Sequence, residues 1–241
     1  MLGQNGPIKR NLYEYKMSKE DFNFIASKAS SDFGLCIKSD KLELIQSRLS
    51  KRLRFLGIDS FTSYCTLLST ARGQQEAMHM LSALTTNVTQ FFREMHHFDA
   101  LSDAIIPKLR QKAELGSPVR IWSAGCSAGQ EPYSISAASL KSWPDICNFD
   151  FKILATDVDP EILDAAKSGE YGIEEVSRIP VQYRDLMFPK LARGDLKVDS
   201  KLSLPITFAR LNLVSNWPMS RKFDVIFCRN VAIYFDKATQ V

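Results

Sequence analysis

Long apolar runs are missing from this 241-residue sequence, and none approaches the roughly 18 to 20 residues that a membrane-crossing helix needs. The opening stretch MLGQNGPIKRNLYEYK lacks the apolar centre of a signal peptide, so a cytoplasmic protein is the expectation. Histidine is scarce, at three residues. The five cysteines (Cys36, Cys65, Cys126, Cys147, Cys228) form no C-x-x-C and have no histidine at metal-ligand spacing. They read as reduced, mostly buried thiols, and no metal is implied. Charge of one sign is also lacking: the formal net charge is only +4, which excludes a whole-molecule signature of nucleic-acid binding and leaves any electrostatic argument to local clusters. What is present is apolar content of 45%, enough to build one large domain or two smaller ones.

Residues 1–16 carry few core-forming positions and read as a disordered N-terminal segment. From residue 17 to 86 the chain reads as an all-helical domain, and helical character continues to about Lys112. SKEDFNFIASKAS opens with Ser18 as an N-cap and places acids in the first turn. From about Lys41 to Phe55, Leu42, Ile45, Leu49, Leu53 and Leu56 fall in one apolar stripe at 100° per residue. Lys41, Arg48, Lys51 and Arg52 fall on a flank beside it, and Gly57 ends the helix. A helix pair is expected at about 60–70 and 74–86, and residues 87–117 form a linker and helix. After GSPVR the pattern changes to short strands alternating with helices. VRIWS (119–123), FKILATD (151–157), PITFAR (205–210) and FDVIFCR (223–229) are continuously apolar, as strands buried on both faces are. A parallel sheet in an α/β layer fold over 118–241 follows. The polar interval 170–204 is too long for a plain loop and reads as a small insertion.

VRIWSAGCSAGQEPYS (119–134) runs from strand to turn to helix, as a nucleotide-binding corner does. It is not a P-loop, because Gln130 and Glu131 stand where a phosphate would need lysine. It is not the dinucleotide fingerprint, because Gly125-Cys-Ser-Ala-Gly129 lacks the middle glycine. S-adenosylmethionine carries a sulfonium cation and no phosphate, so an acid at Glu131 suits it electrostatically. Asp157, ending the second strand, is placed to accept hydrogen bonds from ribose hydroxyls. The plainer alternative is a structural turn at the two glycines with Asp157 capping the next helix.

NVTQFFRE (87–94), AGCSAGQEPYS (124–134), LATDVD (154–159), LNL (211–213) and FDVIFCRNVAIYFDK (223–237) resemble, in order, the motifs of the CheR family of chemoreceptor glutamate methyltransferases. The resemblance covers nearly the whole chain from Ser18. It implies an α/β architecture with an N-terminal all-helical domain and a doubly wound, Rossmann-like S-adenosylmethionine methyltransferase domain that contains a small inserted antiparallel β-subdomain. It further implies that Asn87, Thr89 and Arg93 reach over the cofactor, joined by Gly125, Glu131 and Asp157 from the sheet. Asn212 and Leu213 would flank the adenine, Arg229 and Asn230 would lie beneath the methionine part, and Tyr234 would stand beside the reactive methyl. Phe91 and Phe92 read as core or pocket wall. Gln130 and Ala232 depart tolerably from the family pattern. The chain stops at Val241, before further family strands, and FDVIFC is expected to be an exposed apolar edge.

A glutamate acceptor is already anionic at neutral pH, with an unperturbed pKa of about 4.3, so direct displacement needs alignment and no catalytic histidine. Arg93 and Tyr234 are the candidate catalytic residues, orienting the acceptor carboxylate. The cluster Arg48, Lys51, Arg52 and Arg54 is the candidate docking surface for acidic receptor helices. FPKLARGDLKV is short beside the loop with which some relatives grip a receptor-tail peptide, so no dependence on that pentapeptide is expected. Two alternatives are a nucleic-acid methyltransferase, weakened by Arg229-Asn230-Val231 in place of a DNA-enzyme motif, and a non-catalytic module binding S-adenosylmethionine or its demethylated product, S-adenosylhomocysteine.

Overall fold

The computed structural model describes residues 15–85, 89–190, 193–194, 196–235, 237 and 239–240. The chain divides into two compact units, one running to Asp32 and resuming over Cys36–Thr85, the other combining Phe33–Leu35 with the chain from residue 86 onward.

The first unit is helical. In α1 (Lys19–Phe33) the expected start is present as a reciprocal pair: the Asp21 N–H donates to Ser18 Oγ at 3.0 Å and the Ser18 N–H to Asp21 Oδ2 at 3.2 Å. α2 (Leu42–Leu56) buries Ile45, Leu49 and Leu53, the core of the expected stripe. It closes at Gly57, whose φ of 67° lets the Ile58 N–H reach Leu53 O at 3.0 Å. α3 (Phe61–Leu68) is capped by Ser60, and α4 (Gly73–Leu84) packs against α2.

The second unit is layered around four parallel strands: β1 (Val119–Ala124), β2 (Phe151–Asp157), β3 (Ile206–Arg210) and β4 (Val225–Phe227), in the order β3-β2-β1-β4. All four were legible as continuous apolar runs, and the register aligns Ala124 with Thr156 and Asp157 with Arg210. The chain moves outward from β1 through β2 to β3, then crosses to the other side of β1 for β4. That reversal opens a crevice at the carboxyl ends of β1 and β4, where doubly wound sheets bind ligands. One face of the sheet packs on α5 (His96–Ala100), α6 (Ile106–Glu114) and α7 (Gln130–Ser142), with Phe98, Ile106, Tyr133 and Ile135 in the principal core. The other face carries Trp122, Leu154 and Leu211 beneath the connection that leads to β4. The edge strand β4 exposes Ile226.

The interval 170–204 differs from the expected antiparallel subdomain. Among its described residues are three short helices, α9 (Ile173–Ser177), α10 (Val181–Met187) and α11 (Ser200–Ser203), and antiparallel pairing is confined to the bridge between Glu170 and Lys197. The physical reason is local. Glu175 reaches back to the Gly172 N–H at 3.1 Å and starts α9, while Val176, Tyr183 and Met187 bury themselves in the core at helical rather than alternating spacing. α8 (Pro160–Ser168), capped by Asp159 and closed at Gly169, separates β2 from this interval.

Candidate active site

The corner after β1 is fixed by backbone. The N–H groups of Gly125 and Cys126 both donate to Thr156 O at 2.8 Å, tying the turn to β2. Gly125 has a φ of 79°, and a Cβ there would collide with the Val231 side chain, so two independent constraints require glycine. Within the turn, Ser127 (φ 49°) donates its N–H to Asp157 Oδ2 at 2.9 Å, and the Asp159 N–H donates to Asp157 Oδ1 at 3.1 Å. Each carboxylate oxygen of Asp157 therefore holds one backbone proton and keeps lone-pair capacity for another donor. Burial raises the Asp157 pKa, opposed by the hydrogen bonds from Asp159 and Ser127.

Glu131 lies in the first turn of α7. Its Oε1 accepts the Ser123 hydroxyl at 2.7 Å and its Oε2 faces the Arg229 guanidinium at 3.3 Å. Burial raises its pKa, while Ser123 and Arg229 pull the other way. Arg229, 11% exposed, also donates to Glu94 Oε2 at 3.0 Å and to the backbone oxygen of Arg93, and it lies over the Phe98 ring. Hydrogen bonding from Arg229 holds the Glu94 carboxyl below its usual range. Two carboxylates thus face one guanidinium, and the surplus charge is negative, which suits a ligand cation.

The segment after residue 88 is anchored onto α7. The Phe92 N–H donates to Ser134 Oγ at 3.0 Å, and the Ser134 hydroxyl donates to Gln130 O at 2.6 Å. Phe91 packs edge-on against Tyr171, and Phe92 stacks on Tyr183 at 4.2 Å. Both are core, as read from the sequence. Phe92, Glu94, Ser127 and Asn230 have φ between 49° and 56°; they are the described non-glycine residues with positive φ, and all four surround this crevice. Such backbone strain persists where surrounding contacts enforce it, and it concentrates at functional sites.

Of the residues expected at the cofactor, Gly125, Glu131, Asp157 and Arg229 converge at the crevice, with Arg93 joined through its backbone oxygen. Asn230 follows directly, and Thr89 is half-buried on the approaching segment. Asn212 and Leu213 follow β3 beside Asp157, whose backbone oxygen accepts the Leu211 N–H at 2.9 Å. Asn87 and the side chain of Tyr234 lie outside the described residues. Ser123, Ser127, Ser134 and Glu94 were not singled out from the sequence, and small polar residues between motif positions carry no signal of their own there.

The docking cluster is split. Arg52 forms a two-pronged pair with Glu76, at 2.8 and 2.7 Å, and Arg48 donates to Leu84 O at 2.6 Å. Lys51 and Arg54 are exposed.

The residues present fit S-adenosylmethionine: an acid at the ribose position that keeps acceptor capacity, an acidic surplus near a sulfonium, and a buried Ser127 hydroxyl with no hydrogen-bond partner in the turn. The family comparison decides the matter. Residues 87–241 match the model described as CheR methyltransferase, SAM binding domain, and residues 20–85 match CheR methyltransferase, all-alpha domain. The chain belongs to the CheR methyltransferase family. Similar relatives include a probable chemotaxis protein methyltransferase of Rhizobium etli, 46% identical, with 88% of this chain and 80% of that one covered. The chemotaxis protein methyltransferase of Borreliella burgdorferi is 38% identical over 93% and 81%. That of Escherichia coli is 35% identical over 99% and 82%. This CheR-family chain is a methyltransferase that uses S-adenosylmethionine as methyl donor, with an all-helical segment ahead of a parallel-sheet domain. Among the described residues no helix is long and apolar enough to cross a membrane, and no group of histidine, cysteine and acidic residues could hold a metal.

Proposed function

We propose that this CheR-family enzyme methylates glutamate side chains on the cytoplasmic helices of chemoreceptors, forming the methyl esters that reset receptor signalling. The observation that carries the reading is the acidic surplus formed by Glu131 and Glu94 around Arg229, in a glycine corner without a lysine. The relatives' names, chemotaxis protein methyltransferases, support an acceptor that belongs to chemotaxis.

Bound S-adenosylmethionine supplies a methyl group on a positively charged sulfur. Asp157 would receive the ribose hydroxyls, Asn212 and Leu213 would flank the adenine, and Thr89, with Asn87 as the sequence resemblance implies, would complete the cofactor contacts. Arg229 is neutralised by its two carboxylates and so positions the Arg93 backbone without repelling a sulfonium. Arg93 and Tyr234 orient the incoming carboxylate, which needs no base because it is already ionised. Lys51 and Arg54 on the exposed part of α2 draw in the acidic receptor helix, and no receptor-tail pentapeptide is required.

Incubation with methyl-labelled S-adenosylmethionine and receptor cytoplasmic fragments should give base-labile label on glutamates. Label that resists mild base, or that appears on nucleic acid instead, would overturn the reading. An Arg93→Ala enzyme should retain S-adenosylhomocysteine affinity while kcat falls.

A further inference from the structure

The family's SAM-binding model begins at residue 87, and residues 33–35 fall within the stretch matched by its all-alpha model. By packing, however, Phe33–Leu35 belong to the second unit. Two observations show what the tripeptide does there. Leu35 forms an antiparallel bridge with Phe235, the residue after Tyr234. Gly34 lies so close to the loop after β3 that a Cβ would sit 2.6 Å from Val214 Cγ1, 3.3 Å from Thr239 Cγ2 and 3.4 Å from Phe235 Cδ1. Its φ of 69° adds a conformational demand that favours glycine.

Val214 is not an idle neighbour. Its N–H donates to Asn212 Oδ1 at 3.1 Å, and the Ser215 N–H donates to Asn212 O at 3.2 Å, so Val214 and the Asn212 side chain share one tight turn. That turn begins one residue after Leu211, whose N–H is bonded to the backbone of Asp157. Displacement of Val214 therefore reaches Asn212 directly.

We propose that Gly34 is a positioning residue of the cofactor pocket, a bare backbone position on which the Asn212–Ser215 turn is seated. The tripeptide also holds Phe235, and so fixes the turn that carries Tyr234. The SAM-binding region of this protein is thus completed by three residues that precede it by some fifty positions in the chain. The inference rests on the reading that Asn212 and Leu213 flank the adenine.

The test uses the full chain and calorimetric titration with S-adenosylhomocysteine, alongside thermal unfolding. Gly34→Ala should weaken binding about tenfold while the protein stays folded. Val214→Ala alone should bind nearly as wild type, and the Gly34→Ala/Val214→Ala double variant should recover to within about threefold of wild type, because the colliding methyl groups are gone. A merely structural role for Gly34 would lower thermal stability without this recovery of affinity. Unchanged affinity in a folded Gly34→Ala protein, or no recovery in the double variant, overturns the inference. If Gly34→Ala fails to fold, Val214→Ile presses on the same contact from the loop side: weakened binding supports the inference and unchanged binding overturns it. Asn212→Ala separates the two levels. Unchanged affinity there overturns the adenine placement and this inference with it, whereas weakened binding in Asn212→Ala beside unaffected Gly34→Ala overturns the positioning role alone.

Discussion

Asp157 shows how one residue combines a cost in the free protein with a gain on binding. Burial raises its carboxyl pKa, so the folded protein holds this proton more tightly than the unfolded chain does. Stability from this group therefore falls as pH rises from the unfolded value through the raised one, and the penalty is complete above the raised value. In the proposed ribose role, hydroxyls donate to the ionised form of Asp157, so binding runs the opposite way, strengthening with pH through the raised value and then levelling. S-adenosylhomocysteine affinity measured from about pH 5 to about pH 8 should weaken toward acid, beginning above the usual carboxylate range. Asp157→Asn should bind about 10- to 100-fold more weakly at neutral pH and lose most of this slope, Glu131 accounting for the remainder. A slope unchanged by Asp157→Asn would refute the ribose role. Ser134 works through geometry alone. Its hydroxyl partners the Phe92 N–H at a left-handed residue, so Ser134→Ala leaves a buried donor unsatisfied. Urea unfolding should show a loss of about 1–3 kcal/mol. Ser134, Glu94 and Ser127 could not be found from the sequence, and the left-handed backbone of Phe92 and Asn230, both named there for other reasons, could not be read either, because glycine is the residue whose identity advertises a positive φ.

At the scale of elements, α2 separates what a periodicity reveals from what it hides. The apolar stripe was readable because Ile45, Leu49 and Leu53 repeat at helical spacing, and the cationic flank was readable by the same rotation. The fate of each cation was not. Glu76 comes from α4, 24 residues on, and only folding places it against Arg52. Glu76 is 7% exposed and also accepts the Tyr64 hydroxyl at 2.9 Å, so Arg52→Glu should cost about 3–5 kcal/mol in chemical denaturation by leaving a buried carboxylate unpaired. Lys51→Glu/Arg54→Glu should leave unfolding and cofactor affinity unchanged and lower receptor methylation on the order of tenfold at low salt. Equal effects of the two substitutions would show that the pattern of exposure does not govern docking. β1 was legible because a parallel strand buried on both faces has no alternation to confuse with a loop. β3 and β4 are partly exposed, contrary to the expected burial on both faces, and were legible by their β-branched and aromatic residues. α9 and α10 were concealed because short helices, with two and four apolar positions respectively, give no sustained period.

At the scale of the molecule, the two tasks proposed for this enzyme use electrostatics in different dielectric surroundings, and salt should separate them. The contacts proposed to hold the donor involve Glu131, Asp157 and Arg229, all withdrawn from solvent, with Glu131 13% and Arg229 11% exposed. The docking charges are exposed on α2, and the formal net charge of the whole chain is a modest +4. Exposed charges interact through water and are screened beyond a Debye length of about 10 Å at 0.1 M salt, whereas buried pairs are screened much less. Raising sodium chloride from about 0.05 M to about 0.3 M should therefore cut kcat/KM for receptor fragments several-fold, mainly by slowing encounter. S-adenosylhomocysteine affinity should change by less than about twofold over the same range, since its acidic contacts are already formed in a site of low dielectric. The Lys51→Glu/Arg54→Glu enzyme should lose this salt dependence along with its rate. Parallel decline of receptor methylation and cofactor affinity would place the salt-sensitive charges inside the crevice and remove α2 from the docking reaction.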